Sequence, residues 1–118
     1  MDESQSSVRL PRGEVAVQVK LINPVNFGPA VLDRFMAPAV PGLETFPSCP
    51  SHSFLLEHPS GRRVVFDLGI RKDFENYAPS IATYIPTTGY KIEVDENVAD
   101  ILEDNGVPTK SVEAVIWR

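Results

Sequence analysis

Six of the chain's eleven prolines, Pro24, Pro29, Pro38, Pro41, Pro47 and Pro50, fall between positions 24 and 50. Proline fixes its own φ near about −65°, donates no backbone hydrogen bond and keeps the preceding residue out of the helical region. This pattern predicts that residues 23–50 form a long irregular segment instead of a helix or a central strand. The segment still carries Phe27, Leu32, Phe35, Met36, Leu43 and Phe46. Long loops with apolar content are more often functional covers than linkers, although a loop that only seals the core would look the same in sequence.

The flanking segments read more regularly. Residues 1–13 are polar, without period, and are expected to be a disordered tail, leaving 14–118 as the folded part. From Glu14 to Ile22, Val15, Val17, Val19 and Leu21 alternate with Ala16, Gln18 and Lys20, the period-2 pattern of a half-buried strand, with Asn23-Pro24 as its stop. Ser53–His58 and Arg63–Leu68 read as a hairpin around the Pro59-Ser60-Gly61-Arg62 turn, and Val64, Val65 and Phe66 mark the second strand as buried. Lys72–Tyr77 is a short helix candidate, Tyr84–Tyr90 reads as loop, and Lys91–Val94 as a short extended piece.

The clearest helix spans Glu96–Asn105. Asp95 is its expected N-cap, Val98, Ile101 and Leu102 share one face, and Gly106 with Pro108 closes it. Ser111–Trp117 then reads as a strand with Val112, Val115 and Ile116, close to the apolar run of a parallel strand covered on both faces. Strand, Pro-rich loop, hairpin, helix and buried strand together predict an α/β arrangement in layers, with the last strand reached by a right-handed crossover.

Composition narrows the function classes. Lys and Arg number 11 against 16 Asp and Glu, a net charge of −5, whereas phosphate neutralisation on nucleic acid needs a basic surface; an anionic membrane is disfavoured for the same reason. One cysteine, Cys49, excludes an internal disulfide. No apolar leader and no run of about 20 apolar residues occurs, so the expectation is a soluble, cytoplasmic chain.

Chemistry-bearing residues are few. His52 and His58 have the same strand parity but would stand about 20 Å apart at ~3.3 Å per residue, and Cys49-Pro50-Ser51-His52 offers only two soft ligands where a zinc site needs three or four. No metal site is therefore expected within the chain. Cys49 with His52 as a nucleophile and base finds little support, since a lone cysteine more often behaves as a small hydrophobe. Asp67-Leu68-Gly69 carries more information: an Asp at the end of a buried strand before a Gly able to take positive φ lies where open α/β sheets place functional groups. Capping of its own turn is the simpler role for Asp67. No phosphate-binding glycine loop, dinucleotide fingerprint or nucleophile elbow occurs, and no catalytic residue is assigned.

The order of these segments resembles the amino-terminal part of the metallo-β-lactamase superfamily, in its lactonase-like branch. The residues that carry the likeness are Cys49-Pro50-Ser51-His52-Ser53-Phe54-Leu55-Leu56-Glu57-His58-Pro59-Ser60-Gly61 before Arg63-Val64-Val65-Phe66-Asp67-Leu68-Gly69, then Asn97 to Pro108 and Ser111 to Trp117. It implies the front part of an αββα sandwich. In that family the strand matching 112–117 runs into a Ser-His-x-His-x-Asp-His motif that begins the metal site, whereas this chain has Arg118. The resemblance implies two metal ions, usually zinc, that activate water against a lactone, β-lactam or ester carbonyl, and small-molecule lactone or ester substrates. It further implies that Asp67 orders the metal-loop backbone without ligating, and that Phe27, Phe35 and Met36 line an apolar substrate mouth. The expectation is a truncated, metal-free and inactive part of such a hydrolase. The alternative is a non-catalytic α/β module that pairs through its terminal strand.

Overall fold

The computed structural model of the chain describes residues 9–117. Most of the expected tail, residues 1–8, lies outside them. The described chain contains strands β1 (Gln18–Gly28), β2 (Ala30–Val31), β3 (Thr45–Phe46), β4 (Cys49–Glu57), β5 (Arg63–Phe66), β6 (Lys91–Glu93) and β7 (Val112–Ile116), with helices α1 (Pro79–Tyr84) and α2 (Val98–Asp104). Five strands form one mixed sheet in the order β6-β1-β4-β5-β7. β1, β5 and β7 run one way and β4 and β6 the other, and β5 and β7 are adjacent, parallel and connected through α2. The α/β class and the parallel last strand follow the sequence expectation.

The first strand departs from it. β1 begins at Gln18 and runs through Asn23-Pro24 to Gly28, and its register against β4 shifts between Ile22 and Val25. Proline is compatible with a strand at such an irregularity, where no ladder bond is required of it. Beyond β1, residues 29–48 are less irregular than the proline count suggests. β2 and β3 pair as a small separate ribbon, Leu32–Arg34 makes a 3-10 turn, and Leu32 N donates to Glu44 O at 2.9 Å. Gly28 is required by close approach: a Cβ there would lie 2.5 Å from Pro47 O.

The sheet has two unlike faces. One carries Ile22, Leu55 and Val65, which pack with Val98, Leu102 and Val107 from α2 and its following turn into the core. The other carries Val19 and Leu21 of β1, Phe54 and Leu56 of β4, Val64 and Phe66 of β5 and Ile116 of β7, placed side by side by the register. It is only partly covered among the described residues: Leu21 is 61% exposed and Ile116 49%, while Phe54, Leu56, Val64 and Phe66 are half-buried. The alternation of Val15, Val17, Val19 and Leu21 thus marks the open face, and burial falls on Ile22 and Val25 instead. The terminal strand is likewise exposed and at the sheet edge, not covered on both faces as its composition suggests.

Helix boundaries shift modestly. α2 starts after Asn97, not Asp95: Asn97 N donates to Asp100 Oδ2 at 3.1 Å, while the Asn97 side chain accepts from Lys72 N at 2.8 Å. Gly106, at φ +75°, ends it as expected. Lys72–Tyr77 contracts to a 3-10 turn at Phe74–Asn76. The stretch expected to be loop after Tyr84 is helical, because α1 continues into a 3-10 turn at Ile85–Thr88 with Pro86 at its start, where its missing N–H is tolerated. At the far end of the sheet Glu57 Oε1 pairs with Lys20 Nζ at 2.6 Å and Glu57 Oε2 with Arg63 Nε at 2.9 Å, and Arg63 reaches Ser111 Oγ at 3.0 Å. These two cations hold the Glu57 carboxyl below its usual range.

Candidate functional site

The strand directions bring the carboxyl ends of β1, β5 and β7 to one end of the sheet, together with the first residues of β4 and β6. Open α/β sheets bind ligands at this end, because side chains and loop amides there are freed from the ladder. It holds Phe27, the Asp67-Leu68-Gly69 turn, Cys49 and Ile116.

Asp67 sits at φ +65°, the left-handed region that Asp tolerates better than most residues. Its Oδ1 accepts from Leu68 N at 2.8 Å and Gly69 N at 3.1 Å, and its own N–H donates to Ile116 O at 2.9 Å. The carboxylate therefore closes the turn, and the Asp67 backbone N–H ties it to the end of β7. Gly69, at φ +63°, packs so closely on the β1 irregularity that a Cβ would meet Val25 Cγ2 at 3.0 Å and Pro24 Cγ at 3.2 Å. Downstream, the Arg71 guanidinium pairs with Asp73 at 2.6 Å and lies over the Tyr77 ring at 5.7 Å; it lowers the Asp73 pKa, with a smaller contribution from Asn76. The loop leaving β5 is thus anchored at several points.

Beside this turn lies a cavity of about 410 Å³ whose wall includes Phe27, Arg34, Phe35, Ile70, Tyr84 and Tyr90. The Phe27 and Tyr90 rings stand 5.4 Å apart at 48°. Phe27 and Phe35 are brought together here, whereas Met36 lines a different, smaller cavity of about 190 Å³ with Val31, Leu32 and Leu43. Tyr84, Tyr90, Ile70 and Arg34 were not legible as cavity residues. The signal available was the pair of tyrosines flanking Pro86-Thr87-Thr88-Gly89, and it needed the β1–β6 pairing of Phe27 with Ile92 to acquire meaning.

The soft-ligand candidates are dispersed. Within β4, Cys49 and His52 are three residues apart, and strand alternation sends their side chains to opposite faces. His58 lies at the other end of β4, where Nδ1 accepts from Ser60 N at 3.1 Å in the hairpin turn. Among the described residues no three His, Cys, Asp or Glu side chains come together as a metal cage, so residues 9–117 do not fit a metal centre and no chemistry is derived through one.

No family profile matches the chain. Curated relatives do. The chain is 37% identical over 124 residues to gamma-lactamase FDB1 of Fusarium pseudograminearum, covering 95% of this chain and 30% of that protein. It is 31% identical over 115 residues to metallo-hydrolase mfmC of Annulohypoxylon moriforme, covering 92% of this chain and 29% of the relative. The names of these relatives, a gamma-lactamase and a metallo-hydrolase, support a fragment of the metallo-β-lactamase superfamily. A further match, 32% over 115 residues, is to cytochrome P450 monooxygenase mpaDE of Penicillium brevicompactum, of which the chain covers 13%. The chain thus spans less than a third of these relatives' length. The matched residues contain the sheet end just described, with the anchored Asp67 turn beside an aromatic cavity.

Proposed function

We propose that residues 9–117 form the front part of a sandwich hydrolase that opens a lactam, lactone or ester, and that the metal ligands lie outside these residues. The observation that carries this reading is the incompletely covered apolar face of the sheet. Val19, Leu21, Phe54, Leu56, Phe66 and Ile116 form a continuous surface across four strands, and a soluble monomer rarely leaves so large an apolar patch in water. A second layer over it would complete a sandwich, and relatives more than three times as long supply the chain for one. In that assembly Asp67 is a positioning residue: it holds the turn to the end of β7, beyond which the resemblance puts the first ligands. Phe27 and Phe35 face substrate and Met36 shapes the loop behind them.

The test is a chimera in which residues 9–117 replace the matched segment of gamma-lactamase FDB1. Lactam hydrolysis that is lost on chelation and restored by added metal is expected, with no hydrolysis by the 118-residue chain alone. A folded, metal-loaded chimera without activity would refute the reading. Turnover by the isolated chain would refute the placement of the ligands. A monodisperse, stable complex of the chain through its edge strand would instead favour a binding module.

A further inference from the structure

The cavity beside the Asp67 turn has a composition that selects a ligand class. Its walls are ring and branched apolar side chains, with Arg34 as the only formally charged residue among those lining it. At about 410 Å³ it lies within the ~300–1,000 Å³ of small-molecule sites, which are typically apolar with a few placed polar groups. Two of its aromatic residues are more exposed than packing requires: Phe35 is 66% exposed and Tyr84 59%. A ring entering the cavity would cover both, and offset or edge-to-face contact with Phe27 and Tyr90 would add to the area term.

Aromatic walls alone would also suit an organic cation. Arg34 decides against it. It is exposed and lines the cavity, so a cation accessible to water stands at the cavity wall. No carboxylate among the described residues lies within ion-pairing distance of it, in contrast to Arg62, Arg63 and Arg71, which are each paired. A free guanidinium repels a cation and offers a planar pair of donors to a carboxylate.

We propose that this cavity binds a ring-bearing carboxylate, the ring between Phe27, Tyr90 and Tyr84 and the carboxylate on Arg34. The inference rests on the reading that Phe27 and Phe35 face substrate, and because it is read by binding to the chain and not by turnover, its failure is distinguishable from failure of the sandwich-hydrolase reading.

Calorimetric or ligand-observed NMR titration of the chain with 4-phenylbutyrate tests it, beside the neutral 4-phenylbutanamide, butyrate without the ring, and phenyltrimethylammonium as the cationic control. For a probe of a dozen heavy atoms a Kd of about millimolar order is expected, with the amide about tenfold weaker, as for loss of a charge-assisted hydrogen bond. R34M should remove that discrimination and leave amide binding unchanged. Y84S, an exposed position, should weaken carboxylate and amide alike, which keeps the test valid if F27A fails to fold. Equal binding of butyrate, a cation that binds as well as the carboxylate, an unchanged carboxylate-to-amide ratio in R34M, or no saturable binding would each overturn the proposal.

Discussion

Leu21 and Leu55 occupy adjacent strands of the same sheet but opposite faces, and truncating each to Ala separates the two faces energetically. Leu55 is 2% exposed and packs within the α2-covered core, whereas Leu21 keeps 61% of its surface in water. Removing three carbons at about 0.8 kcal/mol each forfeits about 2.4 kcal/mol of transfer energy when the side chain is fully buried. At Leu55 an unfilled cavity adds to this, because central strands cannot collapse inward, giving about 3–4 kcal/mol. At Leu21 only about two fifths of the transfer term is realised, about 1 kcal/mol. The difference of about 2–3 kcal/mol should separate the urea midpoints by more than about 1 M at slopes of ~1–2 kcal/mol per M. Circular dichroism against urea reads both midpoints. Equal losses for Leu55→Ala and Leu21→Ala in the 118-residue chain would refute the assignment of core and open face. In a longer protein that covers the open face, Leu21→Ala should approach the cost of Leu55→Ala, and an unchanged small cost there would refute the sandwich.

Asp67→Asn should preserve the turn, because Asn tolerates left-handed backbone and its Oδ1 can still accept from Leu68 and Gly69; Asp67→Ala should lower stability by about 1–2 kcal/mol through two lost hydrogen bonds to Oδ1 and the strained φ, measured by the same denaturation. Glu57, lowered below its ordinary value by Lys20 and Arg63, contributes stability above the unfolded carboxyl range that is lost as pH falls through its folded pKa, so Glu57→Gln should flatten the acid limb of a Tm-against-pH curve. Glu96 shows the opposite sign: Asp104 first, then Asp100 and Asp95, raise its pKa, so its ionisation opposes folding and Glu96→Gln should raise Tm at pH 7 but not below the unfolded carboxyl range. Zinc titration of the chain should show no stoichiometric tight site, and a sub-micromolar one would contradict the dispersal of Cys49, His52 and His58.

Legibility from sequence followed the range of the forces involved. The hairpin turn, the capped helix ending at Gly106 and the last strand depend on local turn, cap and alternation chemistry and were readable within a residue or two, whereas the first hairpin strand begins at Cys49, four residues before the expected Ser53 and through Pro50. The course of β1 through Pro24 was not, because proline's local veto is lifted by a register shift that exists only in the paired sheet. The helical turns at 79–88 were missed for a related reason: Pro79 is the first residue of α1 and Pro86 the second of the Ile85–Thr88 turn, early positions where proline starts structure instead of breaking it. At the candidate site, Asp67-Leu68-Gly69, Phe27 and Phe35 stood out in sequence. Tyr84, Tyr90, Ile70 and Arg34 did not, since their meeting depends on contacts between segments some 35 to 65 positions apart.

The amino-acid sequence by itself determined the α/β class, the order of the elements, the acidic balance and the scarcity of metal-ligating side chains, because these rest on local backbone preference and on counting. Only the tertiary structure decided which face of the first strand is buried. Val15, Val17, Val19 and Leu21 alternate as cleanly as a core stripe, yet α2 packs on the opposite side over Ile22, Leu55 and Val65. Periodicity reports that a strand has an apolar face; what covers that face is a matter of the elements packed on it, and on this sheet only one of two apolar faces has its full cover within residues 9–117.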